Sequence, residues 1–226
     1  MHMKKTFFAF LALFFAVISC KKSETTTPAV VYKYMSSTSG STWQYSMTNN
    51  LTATTTNYTR TSTTRDSTIN GRAYHVFTNS STGGSEYYFT TGNDYYNFRT
   101  LGLNLGNATF EDNYLKDNSP AGTSWAQSLS LIVPGVPFPV PITVTYTIAE
   151  KGINRTVNSI AYTDVIHISG TITSSLIPAA NLTTDINNYY ARKVGMIETS
   201  NKFNLNFMGI TQNTDNKTIL LLSDIK

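Results

Sequence analysis

Residues 69–100 read INGRAYHVFTNSSTGGSEYYFTTGNDYYNFRT, and this stretch decides the fold. Asn70-Gly71 is a hairpin signal, because both positions accept positive φ. Arg72 to Asn79 returns from it, with Tyr74, Val76 and Thr78 alternating against His75 and Phe77. Thr82-Gly83-Gly84 turns the chain into Glu86 to Thr91, and Gly92-Asn93-Asp94 turns it into Tyr95 to Thr100. Three hairpins in succession make an antiparallel meander.

The same grammar extends both ways. Upstream, Trp43 to Met47 and the Thr-rich Thr54 to Ile69 read as strands. Downstream, a Gly/Asn-containing loop over Leu101 to Thr109 leads to a strand over Phe110 to Lys116 and a turn at Ser119-Pro120-Ala121-Gly122. Trp125 to Val133 and Ile142 to Glu150 flank a proline-rich tip. In the second, Val144, Tyr146 and Ile148 alternate with threonines, the period of a half-buried strand. Lys151-Gly152 is expected to turn the chain into Val157 to Thr173. Ala179 to Asn188 is the only candidate for a helix or irregular cap. Tyr189 to Ile197, Phe203 to Phe207 and Thr218 to Ser223 complete the strands. The expectation is an all-β fold with little helix. It is a single strongly curved antiparallel sheet, open and barrel-like, of about 10–12 strands, with a β-sandwich as the alternative.

The first 41 residues are of another kind. Lys4 and Lys5 precede an apolar run of 12 residues from Phe7 to Ile18. That is too short for a bilayer-spanning helix, which needs about 20, and fits the core of a secretory leader. Val17-Ile18-Ser19-Cys20 follows the lipobox pattern of an aliphatic residue, a tolerant position, a small residue and cysteine. Cys20 is the only cysteine, so its lipidation leaves no thiol and no disulfide in the mature chain. Residues 1–19 are read as signal peptide, 20–41 as lipidated cysteine and tether, and 42–226 as the β domain. Two or more acyl chains on Cys20 hold a protein stably to a membrane. Lys21, rather than Asp, follows the cysteine and favours outer-membrane residence, by analogy with retention signals of enterobacteria.

Composition excludes some classes. The net charge is +4, and two of those charges, Lys4 and Lys5, leave with the leader. The basic balance therefore does not point to nucleic acid. No cofactor motif and no metal-ligand spacing occurs. His75 and His167 stand alone in strands, and adjacent Glu111 and Asp112 point to opposite faces. Gly122-Thr123-Ser124-Trp125-Ala126 lacks the last glycine of a nucleophile elbow. No catalytic residue is assigned, and the chain is read as non-enzymatic.

The segment from Leu131 to Ile142 has no polar side chain, and Pro134, Pro137, Pro139 and Pro141 punctuate it. Proline denies backbone donors, so this tip cannot pair fully as a strand. Either it folds back over the sheet, or Val136, Phe138 and Val140 contact lipid, a partner or a cavity mouth. Tyr87-Tyr88, Tyr95-Tyr96 and Tyr189-Tyr190 each place one ring inward and one outward; outward rings also suit sugar stacking.

The order of signals resembles a loose group of Bacteroidota-type lipoproteins. The resemblance runs through Gly40-Ser41-Thr42-Trp43-Gln44-Tyr45, Asn70-Gly71-Arg72-Ala73-Tyr74 and Tyr162-Thr163-Asp164-Val165-Ile166 to Tyr189-Tyr190-Ala191-Arg192-Lys193-Val194-Gly195-Met196-Ile197. Arg192 and Lys193 stand where that group often adds a glycine. The resemblance implies a curved antiparallel sheet, an open barrel like the lipoprotein-carrier fold, and no established activity. Asp66-Ser67-Thr68 matches the short O-glycosylation pattern of exported proteins of such bacteria, with Ser67 the acceptor. The functional expectation is an envelope lipoprotein that binds an apolar ligand, such as a lipid, or an envelope protein partner. The alternative is a surface glycan-binding or adhesion module.

Overall fold

The computed structural model describes residues 33–101, 108–133 and 136–226. Twelve strands form one antiparallel sheet: β1 (Thr42–Asn49), β2 (Thr54–Ile69), β3 (Arg72–Asn79), β4 (Ser85–Thr91), β5 (Asp94–Thr100), β6 (Thr109–Lys116), β7 (Ser124–Leu131), β8 (Val140–Val157), β9 (Ile160–Thr173), β10 (Leu182–Ala191), β11 (Gly195–Phe207) and β12 (Ile210–Asp224). The spatial order is β6-β5-β4-β3-β2-β1-β12-β11-β10-β9-β8-β7. First and last strands therefore pair in the middle, from Thr42↔Asp224 to Asn49↔Asn216. This is the all-β, single curved sheet expected, in a nearly closed barrel and not a sandwich.

Closure falls between β6 and β7, the two ladder edges, and side chains make it. Trp125 Nε1 donates to Asn113 O at 2.7 Å, and the Asn113 amide donates to Gln127 Oε1 at 3.2 Å. Gln127 Nε2 also donates to Asp112 Oδ1 at 3.0 Å. Two inward-facing β7 side chains thus satisfy an exposed edge that would otherwise invite pairing with another chain.

Alternation explains the wall. Along β8, Val140, Ile142, Val144, Tyr146 and Ile148 are buried, while the threonines between them are half-buried. Curvature comes from bulges, which bend a strand and increase its twist. Register shifts occur at Gln44/Tyr45, Ser62/Asp66, Tyr95/Tyr96 and Tyr189/Tyr190, and three interrupt the β8–β9 ladder. The turn expected at Lys151-Gly152 is one of these irregularities. Gly152 takes φ +73, but β8 runs on to Val157 and turns at 158–159. The far part of this hairpin contacts β11 and β12, through Arg155 Nε to Glu198 Oε2 (2.8 Å) and Asn158 Nδ2 to Leu221 O (3.2 Å).

Two other expectations change. The strand expected over Tyr189 to Ile197 is broken after Ala191, because Lys193 (φ 71) and Gly195 (φ 98) reverse the chain there. The expected cap at Ala179 to Asn188 is only a 3₁₀ turn, Ala179–Asn181. The chain is already extended from Leu182, whose side chain is buried in the core.

Part of the stretch read as tether belongs to the folded domain. Tyr34 is buried; its amide donates to Tyr95 Oη at 3.2 Å and its hydroxyl to Asp164 Oδ1 at 3.0 Å. Lys193 N donates to Lys33 O at 2.8 Å. A Cβ at Gly195 would stand 3.3 Å from Tyr34 O, so the segment and this turn fit closely.

Connections alternate between two ends of the barrel. Residues 50–53, 80–84, 174–181 and 208–209, with 101, 108, 132–133 and 136–139, share one end. Residues 70–71, 92–93, 117–123, 158–159 and 192–194 share the other, where the chain enters β1 and leaves β12.

Candidate functional site

Inside the barrel lies a cavity of about 470 Å³, within the usual size of a small-molecule pocket. The pleat selects its lining. Tyr45 of β1 pairs with Tyr58 of β2 and Trp43 with Arg60, so all four point inward together. Tyr88 faces the cavity and its neighbour Tyr87 does not; Tyr190 faces it and Tyr189 does not. Asn97 and Arg99 of β5, Asp112 and Tyr114 of β6 and Tyr146 of β8 extend the wall. Asn188, Thr199, Asn201, Thr214 and Asn216 give β10–β12 a polar stripe.

Two guanidinium groups stand in this wall. Arg60 lies between rings, 5.4 Å from the Tyr45 centroid and 5.2 Å from that of Tyr88. Its Nε sits 2.6 Å from Glu86 Oε2, but the N–H is not aligned on that oxygen and is buried without a hydrogen-bond acceptor. Glu86 instead accepts from Asn79 Nδ2 at 2.7 Å and Tyr88 Oη at 3.2 Å. Burial alone would raise the Glu86 carboxyl; Arg60 and these donors outweigh it and hold it below its usual range.

Arg99 is the more accessible of the two. Its Nη2 reaches Asp112 Oδ2 at 2.7 Å and Tyr146 Oη at 3.2 Å. Tyr146 Oη also donates to Asp112 Oδ2 at 3.1 Å, so Asp112 joins β5, β6, β7 and β8 across the seam. Burial disfavours the charged Arg99, but the Asp112 carboxylate reverses that and keeps the guanidinium protonated. Its side chain remains 44% accessible on the wall of the cavity. Burial pushes the hydroxyls of Tyr45, Tyr88, Tyr114 and Tyr190 well above their ordinary value, so the rings between the two arginines are neutral.

The residues singled out from sequence lie elsewhere. Val140 is in the core at the start of β8, Val136 packs half-buried against it, and Phe138 is 42% exposed. None of them lines the cavity. Ser67 is half-buried in β2 opposite Tyr74, and Cys20 lies outside the described residues. Glu111 and Asp112 do take opposite faces: Glu111 meets Arg72 and Tyr74 outside, and Asp112 faces inward.

The histidines are not alone. His75 Nδ1 lies 3.0 Å from Asp66 Oδ1 and its Nε2 2.9 Å from Ser62 Oγ, a Ser-His-Asp order brought together by the β2 bulge. Ser62 is only 1% accessible and donates its hydroxyl to Ser37 O at 3.0 Å, so the trio fastens the N-terminal segment and offers no open nucleophile. His167 lies between Glu150 (3.1 Å) and Asn187 (2.9 Å) and stacks on Tyr189. Among the described residues, no three His, Cys, Asp or Glu side chains gather at metal-binding distance.

A scan against protein-family models finds no match, and no curated protein matches in sequence. Two crystal structures are similar in shape. A candidate lipoprotein from Parabacteroides distasonis has 10% identity and a TM-score of 0.50, over 85% of this chain and 99% of that one. A candidate exported protein with YmcC-like fold from Bacteroides fragilis has 11% identity and a TM-score of 0.47, over 86% of this chain and all of that one. The first likeness supports the fold. Neither protein is described by an enzymatic activity.

Proposed function

We propose that the chain is a lipid-anchored envelope protein, resident in the outer membrane, whose barrel holds an amphipathic small molecule without transforming it. The observation that carries this is the mixed lining of the cavity. Aromatic rings with Met35, Ile172, Ile186 and Phe203 offer apolar walls, while Arg60 and Arg99 place two positive charges in the same lining. Arg60 faces Glu86 at 2.6 Å and is mostly buried, while Arg99, held through Nη2 by Asp112 and Tyr146, leaves 44% of its side chain accessible. A purely apolar occupant would desolvate the accessible Arg99 guanidinium without compensating it, so the expected apolar ligand is refined to one with an anionic or carbonyl-bearing head.

Trp43 lines the cavity and reports on it. Titration with palmitate is expected to change Trp43 fluorescence saturably, and Arg99→Gln to weaken palmitate about tenfold or more while leaving hexadecanol little changed. Equal loss for acid and alcohol would remove the head-group assignment. No saturable response to either probe would remove this ligand class.

A second reading has its own observation. On the outer face of β3–β6, Tyr74 packs 6.0 Å from both Phe89 and Phe98, Phe89 lies 5.9 Å from Tyr96, and Arg72 covers Phe89 at 4.7 Å. Tyr74 is buried beneath them, and the half-buried rings of Phe89, Tyr96 and Phe98 beside Arg72 and Glu111 are the arrangement a glycan platform uses. Glycan-array binding abolished by Phe89→Ala would favour this surface over the cavity.

A further inference from the structure

We infer that the barrel end formed by residues 50–53, 132–133, 136–139, 174–181 and 208–209 is a surface that docks into the apolar layer of a lipid bilayer. The inference is independent of what the cavity holds. Five of the seven large apolar side chains exposed among the described residues stand on these four connections: Leu51 (57%), Ile132 (80%), Phe138 (42%), Leu176 (44%) and Met208 (56%). In the strand order β2-β1-β12-β11-β10-β9-β8-β7 these connections are consecutive around one rim. Ser174 Oγ donates to Pro141 O at 2.6 Å and accepts from Leu176 N at 3.2 Å, which holds the Leu176 loop beside the start of β8.

Charge separates the two ends. Among the described residues of the connections at this end none is Asp, Glu, Lys or Arg, in a chain with 13% charged residues. The opposite end carries Asp117, Arg192 and Lys193 in its connections. Burying a charge in hydrocarbon is costly; the connections themselves bring none, and Asp215 of β12, beside Asn50, is hydrogen-bonded to it at 2.7 Å and faces Lys202. Unpaired N–H groups are costly there too, and Pro137 and Pro139 have none.

A bilayer fits this rim better than a protein does. A specific protein contact uses charged and polar groups to fix orientation, and its apolar core is a continuous patch. Here single side chains project from separate loop tips, as suits insertion into a fluid. Reach is sufficient as well. From Cys20 to Lys33 an extended chain spans roughly 45 Å, while the ten residues of β10 cover about 33 Å. An anchor at Cys20 therefore lets the rim touch the bilayer that carries the anchor.

The test uses the full chain with Cys20→Ala, which is free of thiols, and one new cysteine at position 132, 138 or 208. Controls carry it at 93 or 159, at the opposite end. Each is labelled with a solvatochromic dye and mixed with phosphatidylcholine vesicles. Rim labels are expected to shift to the blue and to be quenched by nitroxide lipids, with the signal unchanged at high salt; control labels stay in water. Ile132→Asp with Met208→Asp changes two exposed positions and is expected to lower the signal at 138 about tenfold or more. Water-like rim labels, equal insertion of the controls, or loss of the shift in salt would overturn the inference.

Discussion

The amide of Asn113 donates to the side-chain oxygen of Gln127 at 3.2 Å, so one glutamine of β7 stands where a neighbouring backbone would close the barrel. The same side chain reaches Asp112, and Trp125 takes the Asn113 carbonyl. Gln127→Ala leaves the Asn113 amide and Asp112 each short of a partner. The expected loss is about 1–3 kcal/mol in chemical denaturation. Trp125→Phe keeps the ring, removes one donor, and is expected to cost about 1 kcal/mol. A neutral result for both would mean that the seam contributes nothing to stability.

Arg60 and Glu86 are a half-satisfied pair in the wall. Glu86→Gln removes the counter-charge and leaves the guanidinium against two rings, an expected cost of about 3 kcal/mol. Adding Arg60→Met to that variant is expected to restore part of the loss, because the stranded charge is gone. A double variant less stable than Glu86→Gln would show that Arg60 stabilises the wall by packing alone.

Acid sensitivity follows from the same group and from Glu198. Burial would raise Glu198, but Arg155 and Lys217 hold it low. Carboxyls lowered by folding contribute stability above their ordinary value near 4.5, and that stability is lost as pH falls through the folded values. The denaturation midpoint is expected to drop below about pH 4.5, with a shallower drop in Glu86→Gln. An unchanged acid limb in that variant would contradict the assignment.

Alkali acts through the tyrosines. Tyr45, Tyr88, Tyr114 and Tyr190 are raised above their ordinary value of 10.0, chiefly by burial. Their contribution is complete below that value and is lost as pH rises beyond it. Tyrosinate absorbance from these rings is expected to appear together with loss of β circular dichroism, in one transition. Ionisation of all the tyrosines with the sheet intact would show that the cavity is open to hydroxide.

Gly195 tests the N-terminal segment. Its φ of +98 disfavours any side chain, and a Cβ there meets Tyr34 O at 3.3 Å. Gly195→Ala is expected to cost about 1–3 kcal/mol and to speed hydrogen exchange at the Tyr34 and Lys193 amides. Gly209→Ala, at φ +83 with open space around it, carries the backbone strain alone and is expected to leave that exchange unchanged. Equal effects would mean that the contact with Tyr34 is immaterial.

Much of the fold was legible because a β wall writes itself at period two. Val144, Tyr146 and Ile148 announced an inward face, and Asn70-Gly71 announced a hairpin. Arg60 and Arg99 were legible only as charges in phase with inward tyrosines, a signal that counts for little until both faces are known. Lys151-Gly152 misled because a glycine at positive φ serves a bulge as well as a turn. The Ser62, Asp66 and His75 grouping was hidden because the bulge changes which residues share a face.

The sequence by itself determined the strands, the hairpins between neighbours and the outward or inward phase of most side chains, since these depend on local pleat and turn chemistry. Only the tertiary structure decided that β1 pairs with β12, that side chains close β6 to β7, and that rings from distant strands enclose two guanidiniums. It also decided that the apolar loop tips share one rim. These are contacts between residues far apart in the chain, set by curvature accumulated over twelve strands, which no local pattern records.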